Sequence, residues 1–455
     1  MKIAIAGAFG FIGQHLIHHI LQRTEHEVVA ISRMPRTSDH PRMSCVAADL
    51  YSLRETVAAL EGCDQAVYLV HSMAPCSRLS QGNFRDFDFI LADNFARAAK
   101  ANGVQQLIYV GGMIPESEAL SEHLSSRLEV EEVLQSHGIA LTAFRCGLVI
   151  GPNGSSFNII VRLTERLPMM ILPQWMRTRS NPIYVDDLAV LLGAAIDDRS
   201  GEHRTIDAGM DQEVSYKDVV KKTAELLDRS PLLVDVPYVS PILSKLWVRM
   251  VSGVPKSLVY PLIDSVTHEM LKSPKRPIPS RWQVSICSLA EAVEKTFKVP
   301  FVFQMPKLRK SIKELNEVRS IQRIPVPKGM SAADVANRYI GWLPVYLRPF
   351  LKIVLLEDGC EYRVRLFSLK LLSLRLDSNV SSPGRQIFRI KEGLLVRLHD
   401  KGRFEFRECH NKNFVIVALH NYRPALPWPV YRVSQAVVHK RVMDSFGRAL
   451  GASYD

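Results

Sequence analysis

Short apolar runs rich in β-branched residues alternate with amphipathic stretches through the first 150 residues. This alternation is typical of βαβ units, in which helices cover both faces of a doubly wound parallel sheet. The apolar runs predict strands at Lys2–Ala6, Glu27–Ser32, Ser44–Ala48, Gln65–Val70, Gln106–Val110 and Ala140–Phe144. The amphipathic stretches predict helices at Ile12–Gln22, Leu53–Leu60, Phe84–Ala101 and Ser121–Ser136.

The pattern changes twice further along the chain. Residues 151–300 mix short strands, helices and proline-rich turns, which predicts a small substrate lobe added to a nucleotide core at 1–150. A polar linker is predicted at 301–327, and a separate α+β domain with an antiparallel sheet at 328–455. Its predicted elements are the strands Ile353–Glu357, Tyr362–Phe367, Gln386–Ile390, Arg403–Glu408 and Phe414–His420, followed by a long helix, Pro429–Leu450.

The positive charge of the chain is unevenly distributed. The net charge is +12, yet residues 301–455 hold 27 Lys and Arg against 13 Asp and Glu, whereas residues 1–300 hold 31 against 33. A solvated basic face, an acidic protein partner and a peripheral contact with an anionic membrane all fit such a block. The basic residues accompany no zinc-ligand spacing and no basic region leading into heptads, so we predict no nucleic-acid binding.

Composition limits the class of protein further. An apolar content of 47% and a charged content of 23% over 455 residues predict a globular chain of more than one domain. Neither a signal-peptide pattern nor a transmembrane run is recognised, since Lys245, Arg249 and Lys256 interrupt the most apolar stretch, so we expect a cytoplasmic protein. Seven scattered cysteines without a C-x-x-C pair predict neither disulfides nor a metal site.

A glycine-rich segment directly follows the first predicted strand and opens the first helix. It reads Gly7-Ala8-Phe9-Gly10-Phe11-Ile12-Gly13. Backbone amides at such a helix N-terminus can face a pyrophosphate without obstruction by side chains. A tight turn that needs glycine for geometry alone is the alternative; the strand–turn–helix setting favours a nucleotide site in a Rossmann fold.

The second and third predicted strands end in residues suited to the rest of a dinucleotide. After the second strand, Ser32 and Arg33 stand where an acidic residue would bind a ribose 2′-hydroxyl, which favours NADP(H) over NAD, with Arg36 as a second cation. After the third strand, Asp49 and Leu50 could contact adenine. Asp49 could equally be the N-cap of the next helix.

Together these segments resemble the atypical short-chain dehydrogenases/reductases, a group that includes NmrA-like and complex I accessory-subunit-like proteins. Supporting segments are Val67–Ser72 and Pro182–Ala189. The resemblance covers residues 1–300 and extends to bacterial proteins whose C-terminal part is a helix-grip, START-like domain. The resemblance implies that Gly7–Gly13 bind the pyrophosphate and that Ser32 and Arg33 bind the 2′-phosphate. It also implies that Asp49 and Leu50 contact the adenine and that Leu69, Val70 and His71 contact the ribose.

The catalytic residues of ordinary members of this group are missing. Where a serine ends the strand in those reductases, this chain has Gly111-Gly112, and where they carry Tyr-x-x-x-Lys it has His123-x-x-x-Arg127. An imidazole can transfer a proton near neutral pH, so we take His123 and Arg127 as candidate catalytic residues. A solvent-facing His123 and an ion pair between Arg127 and Glu131 are the alternatives.

Other candidates are less defined. His71 follows the fourth strand, at the edge where open α/β sheets bind ligands, and is a third catalytic candidate beside a capping role. The loop Trp175–Arg179 could hold an anionic or quinone-like ligand, or be a surface loop with acidic neighbours. Aromatic and basic residues within 319–350 could pack in a core or anchor a surface.

Three functions therefore remain open. The first is an NADP(H)-dependent oxidoreductase acting on a hydrophobic carbonyl or quinone-like small molecule. The second is a non-catalytic nucleotide redox sensor or assembly protein, which the missing Ser, Tyr and Lys favour. The third is a lipid or quinone carrier working through a groove in the C-terminal domain, an inference from fold analogy alone.

Overall fold

A computed structural model describes residues 1–72, 77–115, 120–236, 241–298, 307–308, 316–348, 351–355, 361–366, 368–397, 401–410 and 413–451. The chain divides into two compact units. The first comprises Met1–Ala74 and Asp88–Ser311, and the second comprises Pro75–Phe87 and Ile312–Asp455. The predicted domain ends differ from this division, because 75–87 group with the C-terminal unit and the boundary falls after residue 311.

The first unit is built on a parallel sheet. The strand pairs within this sheet are all parallel, as expected for a doubly wound α/β fold. Its seven described strands follow the order Arg204–Ala208, Ala140–Cys146, Gln106–Gly112, Gln65–Tyr68, Lys2–Ala6, Glu27–Ser32 and Met43–Ala47. The predicted Rossmann fold class is confirmed.

Helices and short strand pairs complete this unit. Its described helices are Phe11–Arg23, Leu53–Ala59, Phe84–Ala101 from Asp88 onward, Glu122–Gln135, Ser155–Arg166, Val185–Asp197, Tyr216–Leu226, Pro241–Ser252, Lys256–Val266 and Leu289–Lys298, with short 3-10 turns at Gln174–Arg177 and Ser280–Trp282. Its short strand pairs are Met169–Pro173 with Leu232–Val236, Arg179–Ser180 with Val214–Ser215, Val149–Ile150 with Ile183–Tyr184, and Arg36–Thr37 with Lys307–Leu308.

Two hydrophobic clusters stabilise the first unit. One lies between the sheet and the helices Phe11–Arg23 and Val185–Asp197, and its strand residues Ile3 and Ile5 are fully buried. The other cluster belongs to the lobe after residue 147 and includes Phe157, Tyr216 and Val259. This second cluster gives the lobe a core of its own beside the carboxyl ends of the strands.

The second unit contains a mixed sheet that is antiparallel except at one edge. Its eight described strands follow the order Leu351–Leu355, Glu361–Leu366, Leu369–Leu376, Arg385–Glu392, Arg403–Glu408, Phe414–Tyr422, Val318–Pro325 and Leu79–Gln81. The last strand pairs in parallel with Val318–Pro325. Its described helices are Ala332–Tyr346, Trp428–Val433 and Gln435–Gly451. The predicted second α+β domain is thus present.

Side chains alternate across the strand Arg403–Glu408. Phe404 and Phe406 point into the core that contains Tyr339 and Phe446 of the two longer helices, with ring centroids of Tyr339 and Phe406 5.7 Å apart. Arg403, Glu405 and Arg407 share the opposite face and are also buried.

Two predictions in this region are wrong. Residues 318–325, within the predicted linker, form a strand in the interior of the sheet order. The predicted helix Pro429–Leu450 is two helices, because Ser434 leaves the helical conformation with φ −118° and ψ −88°. Phe350, Glu357 and Phe367, which belong to segments singled out in the sequence, lie outside the described residues.

In the described part of the chain, no helix combines the length and apolar character required to cross a bilayer.

Candidate nucleotide and active site

The glycine-rich turn leaves no space for side chains at two positions. Gly7 has φ +85°, and a Cβ there would lie 2.9 Å from the carbonyl oxygen of Leu69. A Cβ on Gly13 would lie 2.4 Å from the carbonyl oxygen of Gly7. Gly10 is the N-cap of the helix Phe11–Arg23, and no side chain in the described residues caps it. The first amides of the helix therefore remain available to an anionic group.

The residues after the second strand form a polar, basic edge near this turn. Arg33 is exposed, and the hydroxyl of Ser32 accepts a hydrogen bond from the amide of Met34 at 3.1 Å. The guanidinium carbon of Arg36 lies 4.6 Å from the ring centre of Phe9 within the turn. This edge can therefore accommodate a phosphate.

The structure shows whether Asp49 is the N-cap of the helix that follows the third strand. Ser52 is the N-cap of Leu53–Ala59 and accepts a hydrogen bond from the Glu55 amide. Asp49 instead accepts one from the amide of Tyr51 at 3.2 Å. The cap alternative is therefore wrong. Leu50, beside it, is buried.

A cavity of about 340 Å³ opens beside the turn, within the usual size of small-molecule sites. Predicted cofactor residues line one side, and predicted catalytic residues line another. These residues are Phe11, Ile12, Leu69, Val70, His71, His123 and Arg127. The lobe supplies apolar walls that include Trp175, Val248, Val259 and Met270. The sequence-predicted residues thus meet around one largely apolar space.

A buried carboxylate organises the polar side of this cavity. The side chain of Asp88 is fully buried and accepts hydrogen bonds from Nδ1 of His71 at 2.9 Å and from the amide and hydroxyl of Ser72 at 2.8 and 2.7 Å. Arg127, itself 7% exposed, forms an ion pair with the same carboxylate. Ser126 donates to it at 3.3 Å. Asp88 thus fixes both His71 and Arg127.

The hydrogen bonds continue from His71 into the cavity. Its Nε2 lies 3.1 Å from Nε2 of His123, and Nδ1 of His123 lies 2.8 Å from the hydroxyl of Ser265. His71, His123 and Ser265 all line the cavity. The result is a continuous chain, Asp88–His71–His123–Ser265, drawn from four separate segments.

Burial and the neighbouring positive charge of Arg127 keep both histidines neutral near pH 7. Burial, aided by the neighbouring His71 and Arg127, lowers the pKa of His123 to about 3. Burial and Arg127 also lower the pKa of His71, although Asp88 opposes this shift. Burial alone would raise the pKa of Asp88, but Arg127, His71 and Ser72 hold it well below its usual range.

Charge states fix the proton positions along this chain. Ionised Asp88 only accepts, so the proton of neutral His71 lies on Nδ1 and its Nε2 accepts. His123 must then donate from Nε2 and accept at Nδ1, where the Ser265 hydroxyl can donate. Because that hydroxyl also lies 2.9 Å from the carbonyl oxygen of Pro261, it has two alternative acceptors.

The strand end at Gly111 leaves no space for a serine at that position. A Cβ at Gly111 would lie 2.7 Å from the ring of Tyr109, which is fully buried and donates a hydrogen bond to the carbonyl of Arg127 at 3.0 Å. A serine there would therefore collide with Tyr109. The pKa of Tyr109 is raised by burial, so the phenol stays protonated.

Several alternatives weighed from the sequence are wrong. His123 is not a solvent-facing helical residue, and Arg127 does not pair with Glu131, which instead binds Arg145. In the loop Trp175–Arg179, Trp175 and Met176 line the cavity. Arg177 and Arg179 pair with acidic neighbours, Asp235 for the first and Glu213 and Glu269 for the second.

Sequence reasoning missed Asp88, Ser72 and Ser265. A signal for Asp88 existed, since it lies between Phe87 and Phe89 on the apolar face of an amphipathic helix, where an unpaired carboxylate would be costly. Ser265 gave no such signal, because its contact with His123 joins residues 142 positions apart.

Comparisons with known proteins match the N-terminal part of this chain. Residues 7–160 match a family model described as NAD(P)H-binding. The chain is 32% identical over 121 residues to the auxiliary protein GraX of Staphylococcus aureus, a match that covers 26% of this chain and 39% of GraX. It is 23% identical over 222 residues to the uncharacterized sugar epimerase YhfK of Bacillus subtilis, covering 46% of this chain and 93% of YhfK.

Solved structures show the same fold. The NADPH-dependent quinone oxidoreductase of Escherichia coli complexed with NADPH matches with a TM-score of 0.51 and 18% identity, covering 65% of this chain and all of that one. The triphenylmethane reductase of Citrobacter complexed with NADP(H) matches with a TM-score of 0.51 and 17% identity over the same shares. These solved structures show that the N-terminal unit has a Rossmann fold, and its residues 7–160 match the model for NAD(P)H binding.

Proposed function

We propose that this chain binds NADP(H) and reduces a hydrophobic, quinone-like acceptor in the cavity of its N-terminal unit. The observation that carries the proposal is the hydrogen-bonded chain Asp88–His71–His123–Ser265, which ends in a mostly apolar cavity beside the glycine-rich turn. The quinone oxidoreductase and triphenylmethane reductase share the fold, which makes reduction of an apolar substrate a reasonable expectation.

Residues around the turn fit NADP(H). The amides of Phe11–Gly13 can bind the pyrophosphate, and Ser32 with Arg33 and Arg36 offers a hydroxyl and two cations to a 2′-phosphate. None of these positions carries the acidic residue that a free 2′-hydroxyl favours. Bound NADPH would supply a hydride to the acceptor; the protein's own residues would orient that acceptor and stabilise the oxyanion that develops on it.

The neutral state of both histidines favours a quinone over a simple ketone. A neutral imidazole is a poor proton donor but can stabilise an oxyanion by hydrogen bonding. Hydride addition to a ketone gives an alkoxide, which needs a proton at once. Hydride addition to a quinone gives a phenolate-like oxygen with a pKa of about 10, by comparison with tyrosine. The Ser265 hydroxyl, which has a choice of acceptors, can turn to donate a hydrogen bond that holds this anion until solvent protonates it, whereas the single N–H of neutral His123 is directed at His71.

A nucleotide redox sensor or assembly protein is the second candidate. It is favoured by the lack of a conventional proton donor, since the pKa of His123 is about 3, and by the clash that a carbonyl-orienting serine would meet at position 111. For the C-terminal unit, likeness to a START domain and a carrier role remain predictions. Tyr339, Phe406 and Phe446 pack between helices and sheet in the place where a carrier would hold its ligand.

The test is NADPH oxidation by the full chain with short-chain quinones and aromatic ketones as acceptors. Ser265→Ala should lower kcat about 100-fold, the usual effect of losing one oxyanion donor. His123→Ala, which removes the side chain that positions the Ser265 hydroxyl, should lower kcat less, and both variants should leave NADPH affinity unchanged. His137→Ala is the matched control, because this histidine pairs with Asp93 outside the cavity. Tight NADPH binding without turnover of any acceptor would favour the sensor instead.

A further inference from the structure

The helix Pro241–Ser252 exposes an apolar stripe. Ile242, Leu246 and Met250 are 77%, 50% and 77% exposed. Their spacing of four residues places them along one side of the helix. Large apolar side chains arranged in this way usually mark a surface that meets a partner.

The opposite side of this helix is also apolar but buried. Val248 is 3% exposed and lines the cavity, and Ser244 is fully buried. The helix thus separates the cavity from the exposed stripe by a single layer of structure. Packing inside the lobe accounts for the inner side only, so the outer stripe needs another explanation.

Cations surround the C-terminal end of the stripe. Arg249 and Lys256 are exposed, and Arg162 and Arg166 donate hydrogen bonds to the carbonyls of Ser252 and Val251. The acidic residues nearby are Asp264, which pairs with Lys245 at 2.5 Å, and the exposed Glu165. The helix itself carries basic but no acidic residues.

A second apolar face occurs on the same lobe. Met169 and Ile171 pair with Leu232 and Val234 in the short parallel sheet, and these four side chains are between 37% and 63% exposed. The alternate residues Met170 and Leu172 are buried in the core of the lobe. The lobe therefore presents apolar groups from a helix and from a sheet.

From these observations we infer that the stripe Ile242–Leu246–Met250 docks on the surface of an anionic lipid bilayer. An apolar stripe with basic residues beside it is the pattern of a helix that lies in the membrane interface. The positive charges match anionic headgroups, whereas an acidic protein partner would leave the apolar side chains without a counterpart. From the sequence, a membrane contact was one of three interpretations of the basic C-terminal third; this surface belongs to the N-terminal unit.

Docking there would bring the cavity close to a source of apolar substrates, because Val248 of the same helix forms part of its wall. Only this consequence rests on the proposed reduction. The lipid contact itself does not, and it can be tested with no acceptor present.

The experiment is flotation of the full chain with vesicles of phosphatidylglycerol and phosphatidylcholine, compared with phosphatidylcholine alone. We expect binding to the anionic vesicles, weakened by salt. Combined Ile242→Gln, Leu246→Gln and Met250→Gln, which keeps good helix formers, should reduce binding at least about tenfold. Leu369→Gln with Leu394→Gln is the control, since these exposed leucines lie in the C-terminal unit and their loss should change nothing.

A charge-reversed variant, Arg249→Glu with Lys256→Glu, should also reduce binding to anionic vesicles. The proposal is overturned if the wild-type chain does not bind anionic vesicles, or if the triple variant binds them as well as the wild type does. It is equally overturned if light scattering shows a dimer that the triple variant converts to monomer, because a second copy would then cover the stripe. Unchanged NADPH affinity shows that each variant is folded, and NADPH oxidation with a soluble quinone tests the proposed reduction separately.

Discussion

The buried pair of Asp88 and Arg127 should dominate the stability of the candidate site. Both side chains are removed from water, at 0% and 7% exposure, and the carboxylate also holds His71 and Ser72. Arg127→Met keeps a similar volume but leaves the Asp88 carboxylate without its cation. Removing one partner of a buried pair costs about 3–5 kcal/mol, because the other charge stays buried and uncompensated.

The double substitution provides the decisive comparison. Asp88→Asn alone should cost a similar amount, since it leaves the Arg127 guanidinium buried without a carboxylate. The double variant leaves no buried charge from this pair, so its cost should fall short of the sum of the single costs by at least about 2 kcal/mol.

The assay is differential scanning calorimetry of the full chain. Each single substitution should lower the transition of the N-terminal unit by roughly 5–8 °C, because a unit of about 300 residues has an unfolding entropy of about 0.6 kcal/mol per kelvin. Leu16→Ala, which removes a fully buried side chain of that unit, identifies this transition, and Phe446→Ala identifies that of the C-terminal unit. Shifts below about 2 °C, or a double variant equal to the sum of the singles, would refute the reasoning.

Three further predictions concern the turn, the strand end and the response to pH. Gly13→Ala should lower NADPH affinity at least about tenfold by calorimetry, because its Cβ would lie 2.4 Å from the Gly7 oxygen; unchanged affinity would contradict the assigned turn. Gly111→Ser should destabilise the chain by about 1–3 kcal/mol in urea and should not raise turnover above that of the wild type, since its Cβ meets the Tyr109 ring at 2.7 Å; a stable variant would argue against this packing. The folded state holds the pKa of His123 at about 3, below its ordinary 6.5, so between these pH values the unfolded state binds one more proton than the folded state. The free energy of unfolding should therefore rise with pH over this range. His123→Gln should flatten that rise, and an unchanged pH profile of the variant would contradict the prediction.

Local patterns were sufficient to predict the nucleotide-binding half of the molecule. The alternation of strands and helices in residues 1–150 follows from side-chain periodicity, and the helix Phe84–Ala101 has the bounds expected from the sequence. His71 was predicted from its position after a strand, and His123 and Arg127 from the spacing at which the resembled reductases carry Tyr and Lys. The structure brings all three to one cavity.

Long-range contacts explain what the sequence left unpredicted. Residues 318–325 looked like a polar linker, yet Arg319 and Ser320 are buried within a sheet whose neighbouring strand is about a hundred residues away. The segment Leu79–Gln81 joins the same sheet by pairing with Val318–Ser320, which no local pattern reveals. Asp88 and Ser265 entered the site by the same kind of distant contact.

The most direct test of the account is calorimetric titration of the full chain with NADPH, NADP, NADH and NAD, in the wild type and in Arg33→Asp. We predict that the wild type binds NADPH and NADP more tightly than NADH and NAD, and that Arg33→Asp removes this preference. Equal affinity for all four nucleotides, or no binding of any of them, would contradict the proposal that this site serves NADP(H).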